Sequence, residues 1–467
     1  LCSAELIMNS ADIFAVPVGK KVLIYAPLHD VTALINRVAW KKWSGYLEDN
    51  KQCPESALEL FSRFELSQKG EPSCRSGNLT DPLLLGLIPT RACNMSCRYC
   101  DFTSSNPAIM SFDTAKNAIR AYLELLHQND KKKGEIHFFG GEPMIVPELV
   151  QFAVEYARYE AGKNKIEIHF ELITNGLYST TLAQWLSQNF DTVILSVDGF
   201  GEFQNRFRPM KNGSPSFETV CNNARIFSDS DCEFVIRSCV FQDNAAHLPQ
   251  WAEWIGNNLL PSMVCFEPMT KSQESQKNEI FPAKPVDFVQ NFCNASDILK
   301  NFGIPVIFST TDITKNTNSI CPLGQDALII SPEGSISSCY QLETEWKRQK
   351  MDLSFGWIDS EGFHFDMEKV NHCREFSVHN KRFCENCFCK YHCTGGCHLS
   401  HNTDKVSGLY DDFCIETRMI SAAFLLDELN QSALKEEWLS DEDSIRIMAA
   451  QSSDRWLDYR SMAIAEL

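Results

Sequence analysis

Ten of the 20 cysteines in this 467-residue chain fall into two spaced groups, three within residues 93–100 and seven strung from 321 to 414. Each group must converge in space, so the fold has to hold one short loop and draw several distant segments together. The start of the chain carries no basic stretch followed by a long apolar one, and no run of eighteen or more apolar residues occurs. Neither a secretory signal nor a membrane span is therefore expected, and in a reducing, cytoplasmic setting thiolate ligation is favoured over disulfides. The other ten cysteines (Cys2, Cys53, Cys74, Cys221, Cys232, Cys239, Cys265, Cys293, Cys373 and Cys389) are scattered, and the default expectation for each is a small buried apolar residue. The formal charge of -18 would repel phosphate backbones, so nucleic acid is not expected as a partner.

Four stretches follow from pattern. Residues 1–80 open with strand-like runs at Phe14–Val18 and Lys21–Tyr25, followed by helical periodicity through Leu34, Val38 and Trp43 and again through Leu58, Phe61 and Phe64. A Gly/Pro/Ser/Asn-rich linker from Lys69 to Pro82 marks a boundary. Residues 81–312 alternate apolar strands (Leu83–Ile88, Glu135–Phe139, Ile166–Ile173, Thr192–Leu195, Cys232–Val240, Met263–Phe266) with helices such as Asp113–His127 and Thr181–Asn189. The expected fold class is α/β, a parallel sheet of six units curved into a partial barrel. Residues 313–420 are cysteine-rich and loop-rich, and residues 421–467 are expected to form an acidic helical tail. Lys131–Lys133 reads as a solvated loop.

Cys93-Asn94-Met95-Ser96-Cys97-Arg98-Tyr99-Cys100 directly follows the first strand of the α/β stretch. Three thiolates within eight residues can wrap one compact metal centre from a single loop. Three ligands on a four-iron cubane leave one iron open for a substrate, whereas a structural zinc site closes with a fourth ligand. A zinc knuckle lacking its last ligand and three unrelated buried cysteines are the competing readings.

The spacing, with Tyr99 before the last cysteine, resembles the radical S-adenosylmethionine (SAM) superfamily. Gly140-Gly141-Glu142-Pro143 after the second strand resembles its GGEP element, which implies backbone holding the amino end of SAM; the carboxylate of Glu142 can face an ammonium. Thr174-Asn175-Gly176 and Ser196-Val197-Asp198-Gly199 match the next two ligand-facing strand ends, and Arg208 falls where the family often places a carboxylate-binding arginine. Ligands of such sheets sit at the carboxyl ends of strands. The resemblance implies that SAM chelates the open iron. Reductive cleavage then yields a 5′-deoxyadenosyl radical that abstracts hydrogen from a C–H bond, fed by an external low-potential donor of flavodoxin or ferredoxin type.

In the second group, Cys321 is followed after twelve residues by Gly334 and after four more by Cys339; Cys384, Cys387, Cys393, Cys397 and Cys414 complete it. This resembles the SPASM domain, an auxiliary module holding up to two further 4Fe-4S clusters; a pair of zinc sites is the alternative. The resemblance implies Cys384, Cys387, Cys393 and Cys414 for a distal cluster and Cys321, Cys339 and Cys397 for a proximal one. The proximal cluster's fourth position would be open, solvent-ligated, or closed by Cys389 or Cys373.

SPASM enzymes commonly modify ribosomally made peptides or proteins, so an oxidoreductase installing a carbon-carbon or thioether cross-link in a precursor peptide or protein is the expected function. The alternatives are a dehydrogenase or rearrangement enzyme acting on a small molecule, an anaerobic sulfatase-maturase-like enzyme, or a non-catalytic electron carrier. Sulfatase maturases typically have Asp after the cysteine equivalent to Cys339, where this chain has Tyr340. Residues 21–39 resemble the small winged-helix domain that binds leader peptides as an added strand; a structural cap is the alternative. Glu267, at the sixth strand end, is a further candidate active-site group.

Overall fold

Strand pairing, rather than helical periodicity, organises the start of the chain. The structure, a computed structural model, describes residues 13–49, 69–103, 107–399 and 410–449. β1 (Phe14–Val18), β2 (Lys21–Ala26) and β3 (Val31–Asn36) form an antiparallel meander in that order. Alternation then splits their side chains between two cores. Phe14, Val16, Val18, Leu23 and Tyr25 join the main hydrophobic core. Ala15, Val22, Ile24, Ala26 and Val31 pack with Trp40 and Trp43 of the following helix, Arg37–Asp49. The helix expected to include Leu34 begins only at Arg37: Leu34 pairs with Leu23 across the sheet, and the Asn36 side chain accepts from the Ala39 amide at 2.8 Å. The second helical stretch, at Leu58, Phe61 and Phe64, lies outside the described residues, as do Cys2 and Cys53.

Among the described residues the main sheet has eleven strands. β4 (Leu85–Leu87), β5 (Lys133–Phe138), β6 (Glu167–Thr174), β7 (Thr192–Ser196), β8 (Glu233–Val240) and β9 (Met263–Pro268) lie side by side in chain order, all parallel. Helices Phe112–Gln128, Pro147–Asn164, Thr180–Asn189, Phe217–Ser228 and Leu248–Asn258 connect them, and Pro285–Lys300 follows β9. Two start where sequence chemistry dictates, with Ser111 and Ser179 each accepting from an amide in the first turn. β10 (Val306–Ile307) adds beside β9. At the other edge β11 (Leu328–Ile330) pairs parallel with β4, and β12 (Ser335–Ser337), β13 (Ser354–Ile358) and β14 (Phe363–Phe365) continue antiparallel. The sheet is thus an open, partial barrel extended by the cysteine-rich segment, and it runs on across the boundary expected at 312/313.

The C-terminal stretch is helical, as its pattern implies, and its first helix is an interior one. Helix Asp412–Glu428 is buried on nearly every side from Cys414 to Leu426 and packs against Pro285–Lys300. Its many apolar residues leave little solvent-facing surface. Its run across residue 420 joins the cysteine-rich segment to the helices behind it. On the neighbouring helix Ser432–Leu439, the buried Lys435 ammonium bridges Asp297 (3.0 Å) and Asp427 (2.9 Å).

The turn before β11 is held by a buried ion pair. Arg374 donates Nε to Asp326 Oδ1 at 2.7 Å and Nη2 to Oδ2 at 2.6 Å, and Nη1 to the Gly77 carbonyl at 2.6 Å. Removing one partner strands the other charge without solvent. Asp326→Ala is expected to cost about 3–5 kcal/mol in reversible denaturant unfolding; a loss under about 1 kcal/mol would show that the pair carries little.

Candidate active site and cluster-binding loops

The 93–100 loop and the residues leading into it sit over the carboxyl ends of the strands because hydrogen bonds tie them to the loops after β5, β6 and β7. On one side Gly141 N donates to Thr90 O (3.0 Å) and Glu142 N to Ala92 O (2.7 Å). On the other, Ser96 N and Arg98 N donate to the carbonyls of Pro209 and Phe207, and Lys211 N donates to Asn94 O. The Asn94 side chain adds a 2.7 Å bond to Leu177 O. Glycine is required where the loops meet: a Cβ on Gly141 would lie 2.0 Å from the Ala92 carbonyl oxygen, and one on Gly140 (φ +151°) 2.6 Å from that of Thr90.

Around this loop lies a cavity of about 670 Å³, open on one side. Cys93, Cys97, Tyr99, Cys100, Gly140, Gly141, Asn175, Ser196, Asp198 and Arg208 all line it. Tyr99 is the hinge of a buried network: it donates to Asp198 Oδ2 and accepts from Arg208 Nη1 at 2.7 Å, while Asp198 Oδ1 accepts from the Cys239 amide at 3.0 Å. Arg208 is left with a buried Nε that has no partner among the described residues, a donor available to an anion in the cavity. Asn175 donates to Cys93 Sγ at 3.5 Å and to Asn94 Oδ1 at 2.8 Å.

Glu142 behaves differently from its sequence reading. It is 1 % exposed, does not line the cavity, and spends both oxygens on Met144 N (3.0 Å), Thr174 Oγ1 (2.9 Å) and Asn175 N (2.7 Å). The carboxylate locks the β5 and β6 loops together rather than facing a ligand. Glu267 does line the cavity, accepting from Ser309 N (3.0 Å) and Cys265 Sγ (3.2 Å). Arg237, its neighbour at 3.9 Å, and Cys239 were missed as cavity residues. The strand alternation that aims 237 and 239 inward is present in sequence, but an Arg in an apolar run gives no sign of which face is inner. Gln341, Glu345, Arg348 and Gln349 complete the mouth from the cysteine-rich segment.

Burial pushes the Cys93 thiol up to about 11 and the Cys97 thiol up to about 12. At neutral pH these are thiols, and binding of a metal centre releases their protons. Among the described residues no three His, Cys, Asp or Glu side chains close around a single metal ion.

The second cysteine group separates into two sites. Cys384, Cys387, Cys393 and Cys414 line one small pocket, with Cys389 and Arg418 beside them. Cys321, Cys339 and Cys397 lie close enough to sense one another's charge. Cys389 therefore sits at the distal site and not where it could close the proximal one; Cys373 is an electrostatic neighbour of Cys339. Most of the scattered cysteines are buried, but Cys74 is exposed and Cys239 only half-buried. Tyr340 turns from the cavity, its ring edge-on to Phe139 at 5.0 Å and its hydroxyl over Gly86.

The donor sets fit a 4Fe-4S cluster with SAM at the first loop: three thiols, an unpaired arginine donor, and a glycine cradle that a Cβ would fill. Residues 87–255 match the family model described as the Radical SAM superfamily. A cysteine-type anaerobic sulfatase-maturating enzyme of Clostridium novyi is 22% identical over 346 residues, covering 69% of this chain and 89% of that protein. The uncharacterized protein MJ0907 of Methanocaldococcus jannaschii is 30% identical over 36% of this chain, which spans only 56% of that relative's length. Among solved structures, native anSMEcpe with bound AdoMet and Kp18Cys peptide superposes with a TM-score of 0.58 at 22% identity, covering 74% of this chain and 99% of that one. Streptococcus suis SuiB bound to precursor peptide SuiA gives 0.50 at 12%, covering 84% and 95%. At such identities the structures speak for the fold. Among the described residues no helix is long and apolar enough to cross a membrane.

Gly141→Ala is expected to displace the cysteine loop, lowering iron retained after anaerobic reconstitution at least several-fold and costing about 1–3 kcal/mol. Gly162→Ala, in a helix with no heavy atom within 4 Å of the new methyl, serves as the neutral control. Equal iron in both variants would show that the close approach is not needed.

Proposed function

The chain carries a radical SAM domain in residues 87–255, and on that premise we propose that it is a peptide or protein maturase. It would install an oxidative modification such as a carbon-carbon or thioether cross-link. The observation that carries this reading is the make-up of the cavity. Besides the cysteine loop and the strand ends, its lining carries charges of both signs, Arg237, Glu267 and Lys271 from the barrel and Glu345 and Arg348 from the cysteine-rich segment, and the cavity is open on one side. Such an open, charged lining suits backbone amides and polar side chains of a peptide; a small apolar substrate calls for an enclosed apolar pocket.

In this reading Cys93, Cys97 and Cys100 hold a cluster with one iron open to SAM. When bound, that pair supplies a 5′-deoxyadenosyl radical able to take hydrogen from a C–H bond. The remaining work falls to the protein. Arg208, oriented by Tyr99 and Asp198, would bind the carboxylate of SAM through its unpartnered Nε; Gly140 and Gly141 would let its amino end approach the backbone, and Asn175 and Ser196 would line the same cavity. Glu142 acts one layer back by fixing the Asn175 backbone. Cys384, Cys387, Cys393 and Cys414 hold the distal auxiliary cluster, and Cys321, Cys339 and Cys397 the proximal one, its fourth position open to solvent or substrate. Electrons come from an external low-potential donor.

A second reading, maturation of a sulfatase-type side chain to an aldehyde, is favoured by the likeness that spans 89% of the Clostridium novyi enzyme. Tyr340 counts against it, its phenol being packed over Gly86 away from the cavity. Hydrazine trapping of an aldehyde in a Cys- or Ser-containing test peptide would select this reading.

Reconstituted protein is expected to hold about twelve irons in three clusters and to form 5′-deoxyadenosine from SAM under strong reductant. Cys93→Ala is expected to lower that rate at least 100-fold while leaving about eight irons. Intact SAM in the wild type, or zinc in place of iron, would overturn the proposal.

A further inference from the structure

Arg418 is a fully buried cation with no carboxylate partner among the described residues, and the acid beside it is the Cys387 thiol, which the Cys389 thiol and this cation together hold below the usual range. The arginine is 2 % exposed on helix Asp412–Glu428, and no carboxylate of the described residues lies within ion-pair distance. Its guanidinium lies over the Tyr410 ring (4.4 Å to the centroid), with Phe388 at 5.2 Å, and Nε donates to the Met448 carbonyl at 3.0 Å. Nη1 points at Cys387 Sγ, 3.3 Å away. Nη2 is buried with no partner among the described residues. A guanidinium in such a place needs negative charge beside it, so the fold favours thiolates, and with them a thiolate-bound cluster, in the pocket formed by Cys384, Cys387, Cys393 and Cys414.

We propose that Arg418 sets the reduction potential of the distal auxiliary cluster, through a charge-assisted hydrogen bond to Cys387 and a second from Nη2 to a cluster sulfide. The inference rests on the cluster assignment made above. A 4Fe-4S cluster with four thiolates carries about two negative charges when oxidised and about three after gaining one electron. A fixed, desolvated cation beside it stabilises the reduced form more than the oxidised one, raising the potential; hydrogen bonds to sulfur act in the same direction. The proximal thiols have no comparable donor among the described residues: Arg91 spends Nη1 on the Tyr340 carbonyl at 2.6 Å, and Lys381, which lies between the two auxiliary sites, donates Nζ to Gly395 O at 2.9 Å. Arg418 thereby makes the distal cluster more readily reduced than the proximal one. Arg418 acts through the cluster and is a positioning and tuning residue, not a catalytic one.

The test is an EPR-monitored redox titration of the reconstituted full chain, with Cys384→Ala used to identify the distal signal by its loss. Arg418→Met is expected to change the reduced-to-oxidised ratio of that cluster at least tenfold at a fixed potential, about 59 mV downward for one electron, and Arg418→Lys to fall between. The other two clusters should move by less than a third as much. A folded Arg418→Met protein whose distal potential matches wild type overturns the proposal. Because Arg418 also ties down Met448, Arg418→Met risks unfolding. Wild-type protein labelled with 15N-arginine then decides: HYSCORE spectra of the reduced distal cluster should show a guanidino nitrogen coupling, and its absence overturns the proposal equally. If wild-type protein holds no cluster at Cys384, Cys387, Cys393 and Cys414 by iron content and Mössbauer spectra, the cluster assignment fails instead, and the inference with it.

Discussion

The backbone hydrogen bonds between the 90–98 loop and the strand-end loops are the constraint on which the rest depends. Five of them, from Gly141, Glu142, Ser96, Arg98 and Lys211, with a sixth bond from the Asn94 side chain, suspend three cysteines over the open end of the sheet. A loop carrying three ligands has no regular structure of its own to satisfy its peptide groups, so neighbouring loops must do it. Gly140 and Gly141 permit the approach because they lack the atom that would collide with the Thr90 and Ala92 carbonyls. Glu142 then holds the next loop to the same layer. Position of the ligands, shape of the cavity and orientation of Tyr99 and Arg208 follow from that scaffold.

Buried charge marks each place where separate segments meet. Arg374 and Asp326 join the turn before β11 to helix Met367–Arg374, and Lys435 gathers two aspartates from two helices. These pairs are compensated within the protein. Arg208 has Asp198 at 4.0 Å but keeps a buried Nε without a partner, and Arg418 has no carboxylate partner among the described residues; both stand at cysteine sites. Since a buried unpartnered donor is unfavourable, both placements fit a fold completed by its cofactors, a thermodynamic coupling of cluster binding to folding. The same logic explains why helix Asp412–Glu428, rich in apolar residues yet carrying Glu416 and Arg418 in its interior, belongs inside the molecule.

How far the site could be read in advance varied with the kind of residue. The cysteine loop, the glycine pair and the strand ends at Asn175, Ser196 and Asp198 are local features, each legible from a few neighbouring letters. Glu142 was recognised but given the wrong partner, because its hydrogen-bond acceptance from Thr174 and Asn175 spans more than thirty residues. Cys239 was taken for a packing residue and Arg237 passed over, since alternation tells which residues share a face and not which face encloses a cavity. Cys389 lies between ligand candidates in sequence, and only the path of helix Lys390–Cys393 assigns it to the distal pocket. The early helix reading at Leu34 failed for a similar reason: Leu34, Val38 and Trp43 can be fitted to a helical period, but hydrogen bonding to β2 claims Leu34 for the sheet.

By itself the sequence determined the six-unit α/β alternation, the two thiol groups, and the order of ligand-facing strand ends, because turns, periodicity and short-range spacing are properties of contiguous residues. Tertiary structure alone decided that the cysteine-rich segment extends the sheet through β11, that Arg237, Glu345 and Arg348 share one cavity, and that Arg418 reaches Cys387 from a buried helix in a stretch that read as loop-rich. Those outcomes depend on which distant surfaces bury one another. The driving force there is area removed from water and charge neutralised, neither of which is written in any local pattern.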